Sequence, residues 1–531
     1  MADDPALADT AALLLALPLR ISEIPRLGAA RAPADCALRE VDRTWSFAEL
    51  ERATADVAGR LTASGVRPGD RVLVIGENCA SLVALLFGIA RIDAWAVLVN
   101  ARLSAREIDA IRDHCTPRRC VYLTHVSPEV REHAQRHGAD EILSINGMVD
   151  AQLGPLATCL AEPLSSDAAA QVAALLYTTG TTGEPKGVML THRNLLFIAR
   201  VSSALRKLGP DDRVYGVLPI SHVYGLASVC LGSLFAGACL QLEARFSPAT
   251  MLRALDQFGL TVAQGVPAMY AKLLDHLQAS GAALVTPRLR FLYAGGSPLE
   301  PVLKAAVEHR FGLTLHNGYG LTEASPTVTQ TRLYAPRGDC SVGPPLPGVA
   351  IRIVDAQGHD VVAGAPGELR VRGPNVMRGY YRNAALTALT VNADGWLDTG
   401  DMAQQAPDGA LFIVGRTKEL IIRSGFNVNP AEVESVLNAH PAVTHSAVVG
   451  RAVPGNEEVI AFVELAPGST ASCAELTQFA AQHLAPYKRP AEIVILPVLP
   501  VSATGKIKKH ALRIQAQART PTNSTAIAEH P

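Results

Sequence analysis

Short apolar runs alternate with longer helical patterns over residues 71–124. The runs RVLVIG, WAVLVNA and CVYLT have the length and the β-branched content of buried strands, and two helical stretches lie between them, the second beginning after Ser104. The same alternation returns over residues 261–320, where Gly-rich turns follow the strands. Because strands that alternate with helices form βαβ units, the pattern predicts parallel sheets covered by helices, with ligands at the carboxyl ends of the strands.

The pattern changes twice in the second half of the chain. Beyond Gly343, short alternating strands and Gly/Pro turns over residues 349–373 predict a small antiparallel β module. After Gly415, helical and strand patterns alternate again over about a hundred residues, as in a compact α+β unit. We therefore expect an α/β protein: a large N-terminal domain of parallel-rich sheets with helices plus the β module, and a small α+β C-terminal domain. The tail from Ala516, rich in Thr, Gln, Ala and Pro, is predicted to be disordered.

Two apolar segments could belong to a membrane protein. Residues 223–242 contain no charge and are long enough to span a bilayer, but Gly232, Ser233 and Gly237 favour close helix packing and no basic flank gives an orientation signal. We predict a buried helix followed by a strand, and no transmembrane segment. The run AALLLALPL at residues 11–19 follows acidic residues where a signal peptide would be basic, so an amphipathic helix is expected there.

Composition limits the classes of partner. The 531 residues exceed what one hydrophobic core usually supports, so two or more domains are expected. The 48 Lys and Arg nearly balance the 49 Asp and Glu, and no long single-sign run is present, which argues against nucleic acid as a partner. Nine scattered cysteines without a CxxC spacing favour a reduced, cytoplasmic protein without a structural zinc site. The oligomeric state stays open between monomer and homodimer.

The stretch LYTTGTTGEPKGV at residues 176–188 is the first candidate for chemistry. Gly180 and Gly183 allow the backbone to turn so that successive N–H groups form an anion-binding concavity, and Lys186 adds a positive charge. It is not a Walker A loop, because Pro185 precedes the lysine and Gly187 follows it. From the loop alone, phosphate binding and a plain Gly-rich hairpin turn both remain possible.

A longer stretch, YTTGTTGEPKGVMLTHRNL, resembles the phosphate-loop signature of the AMP-forming adenylating enzymes, which include acyl-CoA synthetases, aryl-CoA ligases, peptide-synthetase adenylation domains and beetle luciferases. Five further signatures follow in the expected order: YAGGSPL (293–299), NGYGLTEASP (317–326), GWLDTGD (395–401), GRTKELIIRSGFNVNPAEVE (415–434) and PVSATGKIKKHALR (500–513). The resemblance covers roughly residues 35–515. It implies the acyl-CoA synthetase branch, which uses ATP, Mg²⁺ and coenzyme A.

The resemblance implies three catalytic residues. Glu323 matches the residue that holds Mg²⁺, Lys506 the lysine that reaches the α-phosphate and the carboxylate, and His222 a residue near the reacting carboxylate. Asp401 matches the acid that accepts hydrogen bonds from both ribose hydroxyls. The sequence departs from many relatives at Asp398, where they have Arg or Lys. Taken alone, Lys506 would be one member of a solvated basic cluster and Glu323 an acid at a helix start; the motifs favour the functional interpretation.

The nucleotide site implied by the resemblance is larger. Tyr319 is expected to pack against adenine, with Gly295, Gly296 and Ser297 along its other face. The full set of predicted ATP-binding residues is Thr178, Thr179, Gly180, Thr181, Thr182, Gly183, Lys186, Gly295, Gly296, Ser297, Asn317, Gly318, Tyr319, Gly320, Thr322, Asp401, Arg416 and Lys506.

The resemblance also implies how one site performs two reactions. It divides the chain into a large domain (1–417), a small mobile lid (418–515) with a hinge at Lys418, and the tail (516–531). After acyl-AMP forms, the lid is expected to rotate so that the loop around Gly425 lines a channel for the thiol of coenzyme A. Tyr487 and Arg489 resemble residues near the nucleotide of coenzyme A.

The acyl pocket is the least defined part of the prediction. The residues expected to border the acyl group are His222, Tyr224, Ser228, Ala294, Gly318, Gly320 and Ala324. The small residues suggest that the pocket is not tightly filled, so a medium or long fatty acid and an aromatic acid such as benzoate or cinnamate both remain candidates. An acyl-AMP ligase that loads a carrier protein is the alternative function, and a non-catalytic nucleotide-binding protein is a further one.

Overall fold

The computed structural model describes residues 7, 9–179, 185–416, 419, 421–423, 426–453, 456–501 and 506–519. The chain divides into two compact units, a larger one formed by Met1–Thr399 and Gln404–Ile413 and a smaller one formed by Gly400–Ala403 and Val414–Pro531. Its helices are α1 (Thr10–Ala16), α2 (Glu23–Arg31), α3 (Phe47–Ala63), α4 (Ala80–Arg91), α5 (Ala105–Cys115), α6 (Pro128–Arg136), α7 (His192–Leu205), α8 (Gly232–Ala236), α9 (Pro248–Asp256), α10 (Pro267–Ser280), α11 (Pro301–Phe311), α12 (Ala384–Thr390), α13 (Pro430–Asn438), α14 (Cys473–His483) and α15 (Lys509–Ala518).

The strands follow the same chain order. They are β1 (Cys36–Arg39), β2 (Thr44–Ser46), β3 (Arg71–Gly76), β4 (Trp95–Asn100), β5 (Arg119–Tyr122), β6 (Glu141–Leu143), β7 (Ala151–Leu153), β8 (Val172–Thr179), β9 (Pro185–Thr191), β10 (Arg213–Gly216), β11 (Cys239–Leu242), β12 (Val262–Gly265), β13 (Phe291–Ala294), β14 (Leu315–Gly320), β15 (Thr327–Gln330), β16 (Ala350–Val354), β17 (Gly367–Arg372), β18 (Gly379–Tyr380), β19 (Leu397–Gln405), β20 (Leu411–Arg416), β21 (Ile421–Arg423), β22 (Phe426–Val428), β23 (Val443–Val453), β24 (Asn456–Leu465) and β25 (Glu492–Leu496).

Two eight-stranded sheets form the body of the larger unit. One has the order β18-β9-β8-β4-β3-β5-β7-β6, with a parallel centre from β8 to β5, and the other has the order β15-β14-β13-β12-β10-β11-β1-β2, parallel from β14 to β1. The predicted alternation of strands and helices over residues 71–124 and 261–320 is confirmed. Ser104 begins α5 as expected: its hydroxyl accepts from the Glu107 backbone N–H, and the Glu107 carboxylate accepts from the Ser104 N–H.

The uncharged segment after residue 222 is a buried helix followed by a strand, as predicted. Its first part, Tyr224–Leu231, has π-helical turns, and it continues through α8 into β11. Every residue of Tyr224–Leu231 is buried. In the part of the chain that the structure describes, no helix is long and apolar enough to cross a membrane.

The predicted antiparallel module also forms. Strand β16 pairs antiparallel with β17 from Ala350 opposite Arg372 to Val354 opposite Glu368. These two strands continue into a four-stranded sheet in the order β16-β17-β19-β20.

The smaller unit is built on the sheet β23-β24-β25. Helices α13 and α14 contribute Leu437 and Leu476 to one core cluster, and α15 contributes Leu512 and Ala516 to another. Because Ala516 is fully buried and α15 continues to Ala518, the disordered tail predicted from residue 516 is wrong for its first three residues. The Thr, Gln, Ala and Pro content suggested disorder, whereas Leu512 and Ala516, four residues apart, form one apolar helix face. Residues 520–531 lie outside the described residues.

Candidate active site

The predicted phosphate loop connects two paired strands. Strand β8 pairs antiparallel with β9, and the last pairs place Thr178 opposite Lys186 and Thr179 opposite Pro185. Gly180, Thr181, Thr182 and Gly183 lie outside the described residues. The flanks of the loop therefore form a hairpin, which was the alternative interpretation, and phosphate binding at its tip remains a prediction.

Glu323 is held beside the outgoing strand of that hairpin. It lies in the short turn Thr322–Ala324 after β14, and its Oε1 accepts a hydrogen bond from the Tyr380 hydroxyl at 2.8 Å. Tyr380 belongs to β18, where it pairs with Val188 of β9. The backbone carbonyl of Glu323 accepts from the N–H of Met377 at 2.8 Å. Two hydrogen bonds thus fix the turn and its carboxylate next to β9.

The electrostatics of this pair suit a cation ligand. Burial, followed by the negative charge of Glu323, raises the pKa of Tyr380, so the phenol stays a donor at neutral pH. Among the described residues, Oε2 of Glu323 receives no hydrogen bond, which leaves one carboxylate oxygen for a ligand. The same part of the chain contains no cluster of three or more His, Cys, Asp or Glu side chains that could hold a metal. One carboxylate plus substrate phosphates is the usual protein environment of Mg²⁺, so the residues fit that ion.

The predicted adenine strip follows β13. Gly296 has φ of +79°, a backbone conformation that favours glycine, and a Cβ built on Gly295 would lie 3.3 Å from the rings of Tyr224 and Tyr293. Ser297 is half-buried next to them. Tyr319, also half-buried, lies on β14 opposite Thr329.

Asn317 has a structural function in addition to its predicted one. Its side-chain amide donates to the carbonyl of Cys340 at 3.1 Å, and its side-chain oxygen accepts from the N–H of Gly318 at 2.9 Å. The side chain is therefore engaged by the protein backbone at the end of β14.

Two of the predicted acyl residues, Tyr224 and Ser228, lie on the segment with π-helical turns, and His222 directly precedes it. Tyr224 and Ser228 are buried, and the Ser228 hydroxyl is 3.1 Å from the hydroxyl of Thr327. His222 is half-buried, and its Nδ1 accepts from the Tyr224 N–H at 3.3 Å. The structure thus groups these side chains near the ends of β13 and β14. Ala294 and Ala324, the two remaining small residues of the prediction, are fully buried.

Gly318 and Gly320 accommodate neighbouring protein atoms. A Cβ on Gly318 would lie 1.8 Å from the hydroxyl oxygen of Tyr293, and a Cβ on Gly320 would lie 2.0 Å from the carbonyl oxygen of Pro326. At these two positions the absence of a side chain makes room for the protein itself. Their small size is therefore not evidence for free space around an acyl group.

Three predicted nucleotide residues lie together in the smaller unit. Arg416 Nε is 3.0 Å from Asp401 Oδ1, which joins the acid and the base that were expected at one sugar. Asp401 is buried whereas Arg416 is exposed. Desolvation of the ammonium group by surrounding atoms lowers the pKa of Lys506, the charge of Arg416 lowers it further, and Asp401 opposes this change.

The backbone at the predicted coenzyme A residues Tyr487 and Arg489 is hydrogen-bonded to Arg423 of β21. The Arg423 guanidinium donates to the backbone carbonyl of Arg489 at 2.6 Å, and Arg489 Nε donates to the carbonyl of Leu484 at 3.0 Å. Tyr487 is half-buried, with the Lys488 ammonium 5.6 Å from its ring centre. Lys418 and Gly425 lie outside the described residues.

Family models match most of the chain. The model described as AMP-binding enzyme matches residues 26–381, and the model described as AMP-binding enzyme C-terminal domain matches residues 432–506. The chain belongs to the AMP-binding enzyme family. This confirms the resemblance that the six sequence signatures indicated.

Named relatives within the AMP-binding enzyme family are CoA ligases. A feruloyl-CoA synthase from an Amycolatopsis species is 35% identical over 486 residues, which cover 91% of this chain and 96% of the relative. Among solved structures, the anthranilate CoA ligase AuaEII in complex with anthranoyl-AMP has a TM-score of 0.83 at 26% identity, covering 95% of this chain and 99% of that one. ATP-bound MatB from Rhodopseudomonas palustris has a TM-score of 0.81 at 28% identity, covering 94% and 99%.

These relatives confirm two predictions. The predicted fold class, a large α/β domain with a smaller α+β domain, is that of the AMP-binding enzymes matched here. The predicted reaction class, an AMP-forming acid–thiol ligase, agrees with relatives named as CoA ligases and CoA synthases. Acyl or aryl transfer to coenzyme A is thus the reaction class of this part of the family.

Two further side chains, Tyr380 and Arg206, have no recognisable signal in the sequence. Tyr380 lies in the run RGYYRN, which has no spacing that would link it to Glu323 more than fifty residues earlier. Arg206 follows α7 and precedes a lysine, where a cation usually interacts with helix carbonyls at the surface. It is instead fully buried. The Tyr380 contact depends on the pairing of β18 with β9, and Arg206 packs against Gln264 and Tyr293 on distant strands, so no local signal identifies either residue.

Proposed function

We propose that this chain is an ATP-dependent ligase that joins an aromatic carboxylic acid to coenzyme A. The observation that supports an aromatic substrate is the pair of buried tyrosines Tyr224 and Tyr293. Their ring centres lie 6.2 Å apart in an edge-to-face arrangement beside Gly295. Relatives named for feruloyl and anthranilate substrates over nine-tenths of the chain support the same choice.

The first proposed step joins the carboxylate to the α-phosphate of ATP and releases pyrophosphate. The carboxylate is ionised at neutral pH, so no general base is needed, and the protein has to align the reactants and offset negative charge. Thr178 and Lys186, which lie opposite each other on the hairpin, would contact phosphate oxygens. Glu323 would hold Mg²⁺ through its open oxygen, and the ion supplies positive charge to the phosphates. Lys506 adds a cation near the α-phosphate.

The nucleoside is proposed to bind through two groups. Asp401 accepts hydrogen bonds from the ribose hydroxyls, with Arg416 next to it, because a carboxylate is an acceptor suited to a diol. Tyr319 packs on the adenine ring opposite Gly295 and Gly296.

The second proposed step transfers the acyl group from AMP to the thiol of coenzyme A. The thiol sulfur bonds to the acyl carbon while the bond to the AMP oxygen breaks, giving acyl-CoA and AMP. Tyr487, Arg489 and the loop at Gly425 contact coenzyme A, and rotation about Lys418 exchanges Lys506 for that loop. The division into domains at 417 and 418 belongs to this proposal. Cytoplasmic location and a monomeric or homodimeric state stay predictions.

A panel of acids tests the proposal. Purified protein with ATP and Mg²⁺ is given benzoic, cinnamic, 4-hydroxycinnamic, octanoic and palmitic acids, with and without coenzyme A, and AMP and acyl-CoA are quantified. We expect at least one aromatic acid to give acyl-CoA, with kcat/KM above that of both fatty acids. A preference for a fatty acid would contradict the aromatic assignment.

Comparison of the panel with and without coenzyme A separates the other candidate functions. A carrier-protein ligase would form acyl-AMP from an acid in both arms and would form no acyl-CoA when coenzyme A is present. A non-catalytic protein would release no pyrophosphate with any acid. Either result would overturn the proposed function.

A further inference from the structure

Two arginine side chains in the described part of the larger unit are wholly buried, and their surroundings differ. All three guanidinium nitrogens of Arg71 donate hydrogen bonds, to four backbone carbonyls and a threonine hydroxyl, and the carboxylate of Glu162 lies 3.7 Å away. Arg206 donates only from Nη1, to Gln264 Oε1 at 2.8 Å and the carbonyl of Ser228 at 3.3 Å. Its Nε and Nη2 have no hydrogen-bond partner among the described residues. Two of the three guanidinium nitrogens of Arg206 therefore lack hydrogen-bond acceptors, whereas all three nitrogens of Arg71 have them.

The missing partner is an acceptor that carries negative charge or a lone pair. A guanidinium does not lose its proton in a protein, and an unpaired charge in the interior is strongly disfavoured. The ring of Tyr293 lies 4.7 Å from Cζ of Arg206, which offsets part of the charge through a cation–π contact. No Asp or Glu side chain within the described ranges forms an ion pair with Arg206. An oxygen from outside the chain would complete the site.

Strand register places Arg206 deeper along the sheet than the nucleotide strip. Gln264 on β12 and Tyr293 on β13 are register partners, so their side chains lie at one level on one face of the sheet. Two residues further along, on the same face, β13 is followed by Gly295 of the predicted nucleotide strip. Arg206 contacts the side chains of Gln264 and Tyr293 at this level of the sheet. It therefore lies one step deeper along the sheet than the nucleotide strip, next to Ser228 of the predicted acyl residues.

The Tyr224 hydroxyl is a second buried polar group near Arg206 without a hydrogen-bond partner among the described residues. Ser228 accepts from Arg206 through its carbonyl, and Tyr224 lies one helical turn earlier. The Tyr224 ring is next to that of Tyr293. The deep end of the site thus combines aromatic walls with unpaired donors from a guanidinium and a phenol.

We propose that Arg206 is a specificity-determining residue that hydrogen-bonds, through Nε and Nη2, an oxygen at the end of the substrate acid remote from the carboxylate that is activated. This inference rests on the proposed function and narrows its substrate class to aromatic acids with a carboxylate or hydroxyl oxygen at that end. An acid of equal length that ends in a methyl group leaves the guanidinium unpaired. The distal oxygen therefore selects the substrate, and the aromatic rings position it.

Three acids of equal length test the inference: 4-carboxycinnamic, 4-hydroxycinnamic and 4-methylcinnamic acid. We measure kcat/KM for AMP formation in the presence of coenzyme A with the wild type and with Arg206→Met, which keeps the length of the side chain without its charge. We expect the wild type to prefer at least one oxygen-bearing acid over the methyl acid by about 10- to 100-fold, the range for a hydrogen bond to a charged group. Arg206→Met is expected to remove that preference.

Each result for the specificity ratios of the three acids either supports or contradicts the inference. A larger loss for the carboxy acid than for the hydroxy acid assigns the site to an anion, and the reverse assigns it to a neutral acceptor; both support the inference. A specificity ratio that is the same in the wild type and in Arg206→Met overturns it. If the wild type turns over none of these three acids but activates another aromatic acid of the first panel, this inference fails and the proposed function stands; if it activates no acid of either set, both fail.

Arg71→Met is the matched control. It removes the other buried guanidinium, whose nitrogens are all paired within the protein, so we expect a lower midpoint of thermal unfolding and an unchanged specificity ratio. Arg206→Met removes an unpaired charge, and its thermal midpoint is expected to be equal to or above that of the wild type. Should Arg206→Met fail to fold, Arg206→Gln makes the same comparison of ratios. A change of ratio in Arg71→Met equal to that in Arg206→Met would also overturn the inference.

Discussion

At the scale of single residues, the carboxylate of Glu323 depends on Tyr380 for its orientation. The phenol donates to Oε1 at 2.8 Å, and among the described residues the second oxygen receives no hydrogen bond. Removing the phenol leaves the carboxylate in place but free to rotate. A metal ligand that has lost such a partner usually binds its ion more weakly without losing the chemistry.

Tyr380→Phe should therefore change the dependence of the reaction on Mg²⁺. We expect the Mg²⁺ concentration for half-maximal pyrophosphate exchange to rise about tenfold, with most of the rate restored at saturating Mg²⁺. Glu323→Gln, which removes the ligand itself, should lose about 100-fold or more at any Mg²⁺ concentration. A titration of exchange rate against Mg²⁺ measures both. Identical Mg²⁺ curves for the wild type and Tyr380→Phe would show that the phenol does not position the ligand.

His316 predicts a pH dependence of stability. Burial, followed by the charge of Lys304, lowers its pKa to about 4, and its ring stacks on Phe291 with centres 5.1 Å apart. In the unfolded chain the imidazole has a pKa of about 6.5. As pH falls below that value the unfolded state binds a proton that the folded state does not, so stability is lost progressively until about pH 4.

The expected loss from His316 is about 3 kcal/mol between pH 7 and pH 4. His316→Asn keeps a polar atom near Thr331, which lies 3.1 Å from Nδ1, and removes the titration. Its free energy of unfolding should therefore fall less steeply over this range. Denaturant unfolding at several pH values measures the slope, and equal slopes for variant and wild type would exclude His316 as the cause.

Residue identities at the nucleotide site were more predictable than the contacts that support them. Asp401 and Arg416 were expected at one sugar and form an ion pair. Tyr380 and Arg206 gave no local signal, because their functions arise from pairing of β18 with β9 and from packing across β12 and β13. Gly318 and Gly320 were misleading, since a small residue does not reveal whether the space beside it is filled.

At the scale of elements, β13 and β14 are fitted to each other through Gly318 and Tyr293. The tyrosine hydroxyl occupies the position where a Cβ on Gly318 would be, at 1.8 Å, and the carbonyl of Thr329 lies 2.7 Å from the same point. A methyl group there would push the tyrosine ring out of its place beside Tyr224. The strands could then pair only with a local shift.

Gly318→Ala should lower the free energy of unfolding by about 1–3 kcal/mol, as overpacking usually does. Tyr293→Phe removes the clashing oxygen, so the double variant should recover part of the loss, while the Thr329 carbonyl prevents full recovery. Denaturant unfolding of the four proteins forms a double-mutant cycle. Strictly additive losses would contradict the packing described here.

The elements themselves follow from the hydrophobic pattern wherever a run is long and has one period. Helix α5 begins at the predicted Ser104 because its capping box is a local interaction. The pairing of β8 with β9 was only one of two interpretations of the loop between them. Order of strands within the two large sheets could not be obtained from the pattern, since any buried strand satisfies it equally well.

At the scale of the whole molecule, the proposed division of labour between the two steps depends on Lys506. The lysine lies in the smaller unit, which also carries Tyr487 and Arg489. If it serves only the first step, Lys506→Ala should reduce release of pyrophosphate by about 100-fold or more, since a cation near the developing charge is removed. Conversion of supplied acyl-AMP and coenzyme A to acyl-CoA should stay within about threefold of wild type, because Lys506 has no part in that step. A threefold change corresponds to less than about 1 kcal/mol in the activation free energy. Equal loss in both steps would contradict the division.

The central claim is that this chain activates an aromatic carboxylate as its adenylate. Exchange of labelled pyrophosphate into ATP, measured with Mg²⁺ and 4-hydroxycinnamic or benzoic acid in the absence of coenzyme A, tests it most directly. We predict exchange that requires the acid and is lost in Glu323→Gln. Absence of acid-dependent exchange with every aromatic acid supplied would contradict the claim.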